Sequence, residues 1–190
     1  MFSDQMIVLT YVIRHDADRR GYNPWLRGVD NPFFNSVSQI DRYENWKLAD
    51  AIGDRPRWTH FDLLHPAKGV APQEIFHIPV VAEFAANWSR LWGVDPAAAD
   101  QSVNYQIHIL ERVRQGKRAR GGLLALIVDP DLERLPADAE LWRTRNMVVG
   151  DNQLGEVFAL QPLALTDGQA DAGWGRQVLV GECIASPNYP

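Results

Sequence analysis

Short runs of alternating apolar and polar residues, rich in β-branched and aromatic side chains, predict a chain built largely of strands. Four such runs occupy the first part of the sequence: residues 6–14, 37–48, 57–65 and 102–112. A turn that contains Gly53 separates the second run from the third, which predicts an antiparallel pair.

Two helices are predicted between these strands. Pro24 suits the first turn of a short helix over residues 24–29, and Asn31-Pro32 ends it, because the residue before a proline avoids the helical region. The second helix begins at Pro79, and its apolar residues recur at three- and four-residue steps. This part of the chain therefore has the order β-α-β-β-α-β.

The rest of the chain begins in the same way. Residues 123–128 predict a strand, residues 137–146 a helix with Trp142, and residues 156–166 and 176–186 two further strands. The spacing of these elements matches that of the first part, although few residues are identical. The spacing indicates a repeat whose second unit lacks its closing helix and strand.

The domain prediction follows from this repeat. A complete unit spans residues 1–115, and a truncated second unit, packed against the first, spans residues 116–190.

Residues 25–43 (WLRGVDNPFFNSVSQIDRY) resemble the dimeric α/β-barrel superfamily, with the closest resemblance to its EthD-like and RedY/HapK-like branches. There, a helix with Trp or Tyr leads through an acidic residue and an apolar stretch into a strand rich in Arg and Tyr. The resemblance implies an α+β fold in which ferredoxin-like antiparallel sheets form an α/β barrel around a pocket.

The resemblance also bears on assembly and chemistry. The barrel would close across a homodimer or, through the tandem repeat, partly within one chain. Most EthD-like proteins carry an Asp-x-x-His motif, but here Asp30 is followed by Asn31-Pro32-Phe33. No chemistry is carried over through the missing histidine.

Composition narrows the function classes. A net charge of −5 argues against nucleic-acid binding. The single cysteine, Cys183, excludes an internal disulfide framework. The apolar residues 6–13 are too few to span a bilayer, and no signal peptide precedes them, so we expect a cytoplasmic protein without membrane contact. Seven tryptophans are typical of a lined pocket or interface, or of a plain core.

His60 and Asp62 are the first candidate catalytic residues. Alternation places both on one face of their strand with Trp58, a predicted substrate contact. The opposite face, with Phe61 and Leu63, is more apolar and suits the helices, so we expect the His60 face to line the barrel interior. There Asp62 would orient the imidazole of His60. A solvated pair on an open sheet face is the alternative.

His108, in the last strand of the first unit, is the alternate candidate and shares a polar face with Gln106, a predicted substrate contact. Tyr11 or Arg14, on opposite faces of the first strand, and Tyr43 on the second are further predicted substrate contacts. Zinc or iron needs three or four convergent ligands, and no spacing here requires them, so neither a metal nor another cofactor is expected.

A basic run follows the last strand of the first unit: Arg112, Arg114, Lys117, Arg118 and Arg120. Such a run is typical of a solvated strand end and loop, and an acidic partner is the alternative. The sequence has neither a glycine-rich phosphate loop nor a G-x-S-x-G motif.

These features predict a cofactor-independent enzyme of cyclase, isomerase or lyase type. Its substrate would be a small hydrophobic molecule, aromatic or polyketide-like, and the imidazole of His60 or His108 would transfer a proton. The resemblance adds a variant, a cofactor-free monooxygenase. Two alternatives stay open: a non-catalytic accessory protein that holds a pathway intermediate, and a structural dimerisation module.

Overall fold

A computed structural model describes residues 3–94, 105–118, 121–150, 152–164 and 170–187. Within these ranges eight strands form one closed antiparallel barrel, in the order β1-β3-β2-β8-β5-β7-β6-β4. The strands are β1 (Gln5–Tyr11), β2 (Ile40–Ile52), β3 (His60–Pro66), β4 (Tyr105–Arg114), β5 (Leu123–Pro130), β6 (Glu140–Val149), β7 (Val157–Leu163) and β8 (Gly175–Ala185).

The two halves of the barrel, β1–β4 and β5–β8, have the same connectivity. In the first half β1 lies between β4 and β3, and β2 lies beyond β3. In the second half β5 lies between β8 and β7, and β6 lies beyond β7. The halves join where β2 pairs with β8 and where β4 pairs with β6, so the barrel closes within one chain.

The α-helices of the described residues belong to the first half. Between β1 and β2 lie α1 (Tyr22–Trp25), a π-helical turn (Leu26–Asp30) and α2 (Asn31–Ser36); between β3 and β4 lie α3 (Pro72–Ile75) and α4 (Pro79–Trp92). Side chains from these helices pack on the outer face of the first-half strands. On the second half, Leu135 and Ala139 between β5 and β6, and Trp174 before β8, cover the outer face instead.

The interior of the barrel is a packed apolar core, as expected for eight strands. Its centre is built from large side chains that alternate inward, among them Met6, Trp46, Phe61, Trp142 and Phe158. Gly181 makes room for one of them. A Cβ on that glycine would lie 2.5 Å from Cζ of Phe61, so the aromatic ring occupies the space that any other residue would fill.

Most of the predicted strands are confirmed within the described residues, with small shifts at their ends, and α4 begins at Pro79 as predicted. Residues 102–104, 165 and 166 of the predicted strands lie outside the described residues. The first predicted helix is longer than expected, because helical structure continues through Pro32 to Ser36. The π-helical turn changes the hydrogen-bond register just before Pro32. The proline therefore falls in the first turn of α2, where its missing N–H is tolerated.

The predicted helix over residues 137–146 is wrong, because Trp142 lies in β6. This segment pairs with β4 along most of its length, and that long-range pairing overrides local helix propensity. The second half therefore has the closing strand that it was expected to lack, and what its described residues lack is α-helices. The division into units at residues 1–115 and 116–190 stays a prediction.

The expected orientation of β3 is also wrong. Phe61 and Leu63 point into the barrel core, whereas Leu64 packs with residues of α3 and α4 on the outer face. His60 contacts Tyr22 of α1 edge-on, with ring centroids 5.4 Å apart. The face that carries His60 and Asp62 is therefore the helix-covered face and not the barrel interior.

Candidate functional site

A cavity of about 70 Å³ lies between the outer face of the first half and the helices. One water occupies roughly 10–15 Å³ of such a cavity volume, so the cavity can hold on the order of five waters or one small ring compound. We call this space the outer cavity. Its walls are mainly apolar and aromatic, and include Leu9, Leu64 and Ile107 from the strands and Phe34, Val81, Phe84 and Trp88 from the helices.

Asp62 forms the polar floor of the outer cavity and is buried. Its Oδ2 accepts a hydrogen bond of 2.6 Å from the hydroxyl of Tyr43. Its Oδ1 accepts bonds of 3.0 Å from the hydroxyl of Tyr11 and 3.0 Å from Nδ2 of Asn45. One carboxyl group thus accepts hydrogen bonds from three side chains on neighbouring strands.

A second buried carboxyl group, Asp30, is joined to Asp62 through Asn45. The Nδ2 atom of Asn45 donates to Asp30 Oδ2 at 2.8 Å as well as to Asp62. Asn31 fixes the amide of Asn45 by donating to its Oδ1 at 3.0 Å. Asp30 and Asn31 stand where the π-helical turn meets α2, so the irregular helix aims two consecutive side chains at the sheet.

Strand alternation and register explain why the other groups meet. Tyr43 and Asn45 are two residues apart on β2 and therefore share its outer face. Asn45 lies opposite Asp62 in the β2–β3 register, and Leu9, two residues before Tyr11, lies opposite Asp62 in the β1–β3 register. Three adjacent strands thus bring the phenols, the amide and the carboxyl group together.

Burial dominates the electrostatics of this site. Burial raises the pKa of Asp30 to about 7, against the opposing effect of its hydrogen bonds. Burial, and to a lesser extent the charge of Asp30, raises the pKa of Asp62 well above its ordinary value. Burial and then the charge of Asp62 raise the pKa of Tyr11, so this phenol stays protonated and donates. The carboxyl groups titrate as a pair that retains a proton near neutral pH.

This arrangement suits proton transfer to and from a mainly apolar molecule. A general acid or base works best when its pKa lies near the operating pH, and Asp30, whose pKa burial raises to about 7, meets that condition at neutral pH. His60, the predicted proton-transfer residue, is not among the residues that line the outer cavity. Its Nδ1 lies 2.9 Å from the hydroxyl of Thr59, its ring stacks on Tyr11, and it makes no hydrogen bond to Asp62.

The remaining predicted site residues do not gather around His60. His108 is fully buried on the interior side of β4, as the alternation predicted, and so lies on the opposite face of the sheet from His60. Gln106 accepts a bond of 3.4 Å from Thr10. Trp58 packs in the barrel core, and Arg14 forms an ion pair with Asp16 beyond the end of β1.

The structure thus brings together Asp62, Tyr11 and Tyr43 from the predicted set and adds Asp30 and Asn45. A signal for Asp30 was present in the sequence, because it is the acidic residue of the helix in the superfamily resemblance. Asn45 shares a strand face with Tyr43, but nothing local marks an asparagine as the bridge between two carboxyl groups.

Within the described residues, no group of three or more His, Cys, Asp or Glu side chains is arranged to hold a metal ion. None of the described helices is both long and apolar enough to cross a membrane. The chain matches no protein-family model, and neither a curated protein nor a solved structure shows significant similarity to it.

Proposed function

We propose that this chain is a cofactor-independent enzyme of cyclase, isomerase or lyase type that binds a small hydrophobic, aromatic or polyketide-like molecule in the outer cavity. The observation that carries the proposal is the buried Asp30–Asp62 pair at the floor of an apolar cavity. The carboxyl pair takes the proton-transfer role that the sequence predicted for His60.

Each group of residues that lines the cavity has a role in the proposed reaction. Apolar side chains remove the substrate from water, which strengthens electrostatic interactions at the floor. The ionised member of the carboxyl pair accepts a proton from an acidic C–H of the substrate, and the protonated member returns one. Tyr11 and Tyr43 hold Asp62 in position through their hydroxyl groups.

We further infer that the barrel is a tandem ferredoxin-like repeat of the dimeric α/β-barrel type. The identical strand order in the two halves supports this inference, as does the reciprocal pairing of β2 with β8 and β4 with β6. The homodimer stays a prediction, and closure within one chain means that dimerisation is not needed to complete the barrel.

The test uses 2-indanone, a small ketone with exchangeable methylene protons, in D₂O. Enzyme-catalysed loss of its α-proton signal by NMR is expected for the wild type. Asp62→Asn should slow the exchange by about 100-fold or more, the usual contribution of a general base. Asp41→Asn is the matched control, because Asp41 is an exposed aspartate on β2 outside the cavity.

Three outcomes distinguish the hypotheses. Exchange that Asp62→Asn abolishes supports the enzyme. Quenching of tryptophan fluorescence by 2-indanone that the Trp88→Phe variant loses, without exchange, supports the accessory-protein alternative, since Trp88 lines the cavity. Exchange that is equally fast in both variants would show that the carboxyl pair is not the base. Product analysis under oxygen with naphthol-type phenols tests the monooxygenase variant.

A further inference from the structure

The two carboxyl groups of the outer cavity have no counterion among the described residues. Asp30 and Asp62 both line the cavity and are only 2% and 4% exposed. The side chains that donate hydrogen bonds to them are neutral: Tyr11, Tyr43 and Asn45. No ion pair between described residues includes either aspartate. The groups that shift the pKa of both carboxyl groups most are likewise neutral or negative.

The rest of the cavity lining does not supply positive charge either. Among the described residues that line the cavity there is no lysine, arginine or histidine. Its titratable groups are the two carboxyl groups and the phenols of Tyr11, Tyr43 and Tyr105. Carboxyl and phenol groups are neutral when protonated and negative when ionised. The lining is therefore neutral or negative at every pH.

Asp62 can accept one more hydrogen bond than it receives from the protein. An ionised carboxylate accepts up to about four such bonds. Asp62 accepts two at Oδ1, from Tyr11 and Asn45, and one at Oδ2, from Tyr43. The Oδ2 atom therefore has capacity for a further donor. Because Asp62 lines the cavity, that donor can belong to a ligand.

Aromatic rings surround the rest of the cavity and contact each other. The ring centroid of Phe34 lies 4.4 Å from that of Tyr43 and 5.4 Å from that of Phe84. The ring of Trp88 meets Tyr11 edge-on, with centroids 5.3 Å apart. The face of an aromatic ring carries partial negative charge and attracts an ammonium group, while its apolar surface packs against a hydrocarbon.

These features favour a ligand with one positive charge. A buried carboxylate without a cation is costly, so the folded protein keeps a proton on the pair near neutral pH instead. A ligand ammonium group would supply the missing partner, and the displaced proton would leave to solvent. An anionic ligand would add a like charge to the same buried site and is therefore disfavoured.

We propose that the outer cavity selects a small aromatic amine in its ammonium form, whose charge pairs with Asp62 and whose ring packs among Phe34, Phe84 and Trp88. This inference rests on the proposed function, since it takes the outer cavity as the substrate site and names the substrate class. Selection by charge is a property of binding alone, so it does not require the carboxyl pair to be catalytic.

The test is isothermal titration calorimetry of the full chain at pH 7 with three indane derivatives that differ only in the group at C2. 2-Aminoindane is a cation, 2-indanol is neutral and indane-2-carboxylate is an anion. We expect 2-aminoindane to bind at least about tenfold more tightly than 2-indanol, because a charge-assisted contact is stronger than a neutral one. Indane-2-carboxylate should bind more weakly than 2-indanol. Titrations in buffers of different ionisation enthalpy should show proton release with the amine alone.

Variants of the carboxyl pair identify the source of the preference. Asp62→Asn should remove most of the tenfold preference for the amine over the alcohol. Asp41→Asn, on the exposed surface of β2, is the matched control and should keep the preference. Asp30→Asn keeps the test decisive if Asp62→Asn fails to fold, because an amide oxygen at this position can still accept the bond from Asn45. It should also reduce the preference, since it removes one of the two charges.

Equal affinity for 2-aminoindane and 2-indanol would overturn the proposal, as would the same preference in the Asp62, Asp30 and Asp41 variants. The outcome is distinct from that of the exchange experiment. Preferential binding of the amine without exchange of 2-indanone would support the proposal and contradict the enzymatic function. Exchange of 2-indanone without any preference for the amine would contradict the proposal and leave the enzymatic function standing.

Discussion

The phenol of Tyr43 donates a 2.6 Å hydrogen bond to Oδ2 of Asp62, and both side chains are buried. Removing the hydroxyl in Tyr43→Phe leaves a buried carboxyl oxygen without this donor. We expect the free energy of unfolding to fall by about 1–3 kcal/mol. The pKa of Asp62 should rise further, because the lost bond favoured the ionised form. Denaturant unfolding and carbon-detected NMR titration of the carboxyl groups measure the two effects.

A double-mutant cycle with Asp62→Leu separates this bond from general packing. If the hydroxyl acts through Asp62, the Tyr43→Phe substitution should cost much less in the Asp62→Leu background. Equal costs in the two backgrounds would mean that the hydroxyl stabilises the fold in some other way.

Asp30→Asn is expected to stabilise the protein above neutral pH. The folded-state pKa of Asp30 is raised to about 7, so the folded protein holds this proton more tightly than the unfolded chain. Wild-type stability is therefore lost as the pH rises from the ordinary aspartate pKa of about 3.9 through 7. The variant avoids this loss and should gain about 4 kcal/mol at pH 8 and nearly nothing at pH 3.

Unfolding curves for both proteins from pH 3 to pH 8 check the sign of the Asp30 effect. Asp41→Asn, on the exposed surface of β2, should show no comparable pH dependence. A loss of proton-exchange activity together with this gain in stability would be the usual trade-off at a functional site.

His108 gives the opposite pH dependence. Burial lowers its folded-state pKa to about 4, and its ring is fully enclosed in the barrel. The unfolded chain binds this proton below about pH 6.5, whereas the folded protein does not, so stability is lost as the pH falls from 6.5 to 4. His108→Leu should remove about 3 kcal/mol of that loss. The exposed His77→Leu serves as the control, and a constant difference between His108→Leu and wild type across this range would contradict the prediction.

Gly181→Ala should destabilise the barrel by about 1–3 kcal/mol, because its new methyl group would overlap the ring of Phe61. Combining it with Phe61→Leu should recover part of the loss, since the smaller side chain vacates the contact. Gly28→Ala is the matched control. A Cβ on Gly28 meets no atom within 4 Å, so this change should be nearly neutral in thermal unfolding.

The elements that could be predicted are those marked by a pattern within their own stretch of sequence. The Pro79 start of α4 and its three- and four-residue apolar spacing are local, as is the alternation of β1. The β6 segment has no comparable local signal. Its strand conformation depends on pairing with β4, from which it is separated by β5 and two loops.

The orientation of β3 could not be predicted for a different reason. Both of its faces are buried, because the core fills one side and the helices cover the other. Alternation separates Phe61 and Leu63 from His60 and Asp62, but it does not say which set faces the helices. The pairing of Asp30 with Asp62 likewise depends on an irregular helix packed against the sheet, and no short-range pattern encodes that contact.

Because the barrel closes within one chain, its two halves need not be identical. In a barrel made from two identical chains, every substitution appears twice, and both sheets must carry the same cover and the same cavity. Here the half formed by β1–β4 carries helices and a buried carboxyl pair, while Leu135, Ala139 and Trp174 cover the half formed by β5–β8. One half can therefore carry the proposed proton-transfer site while the other serves only to stabilise the barrel. We therefore expect one outer cavity for each barrel.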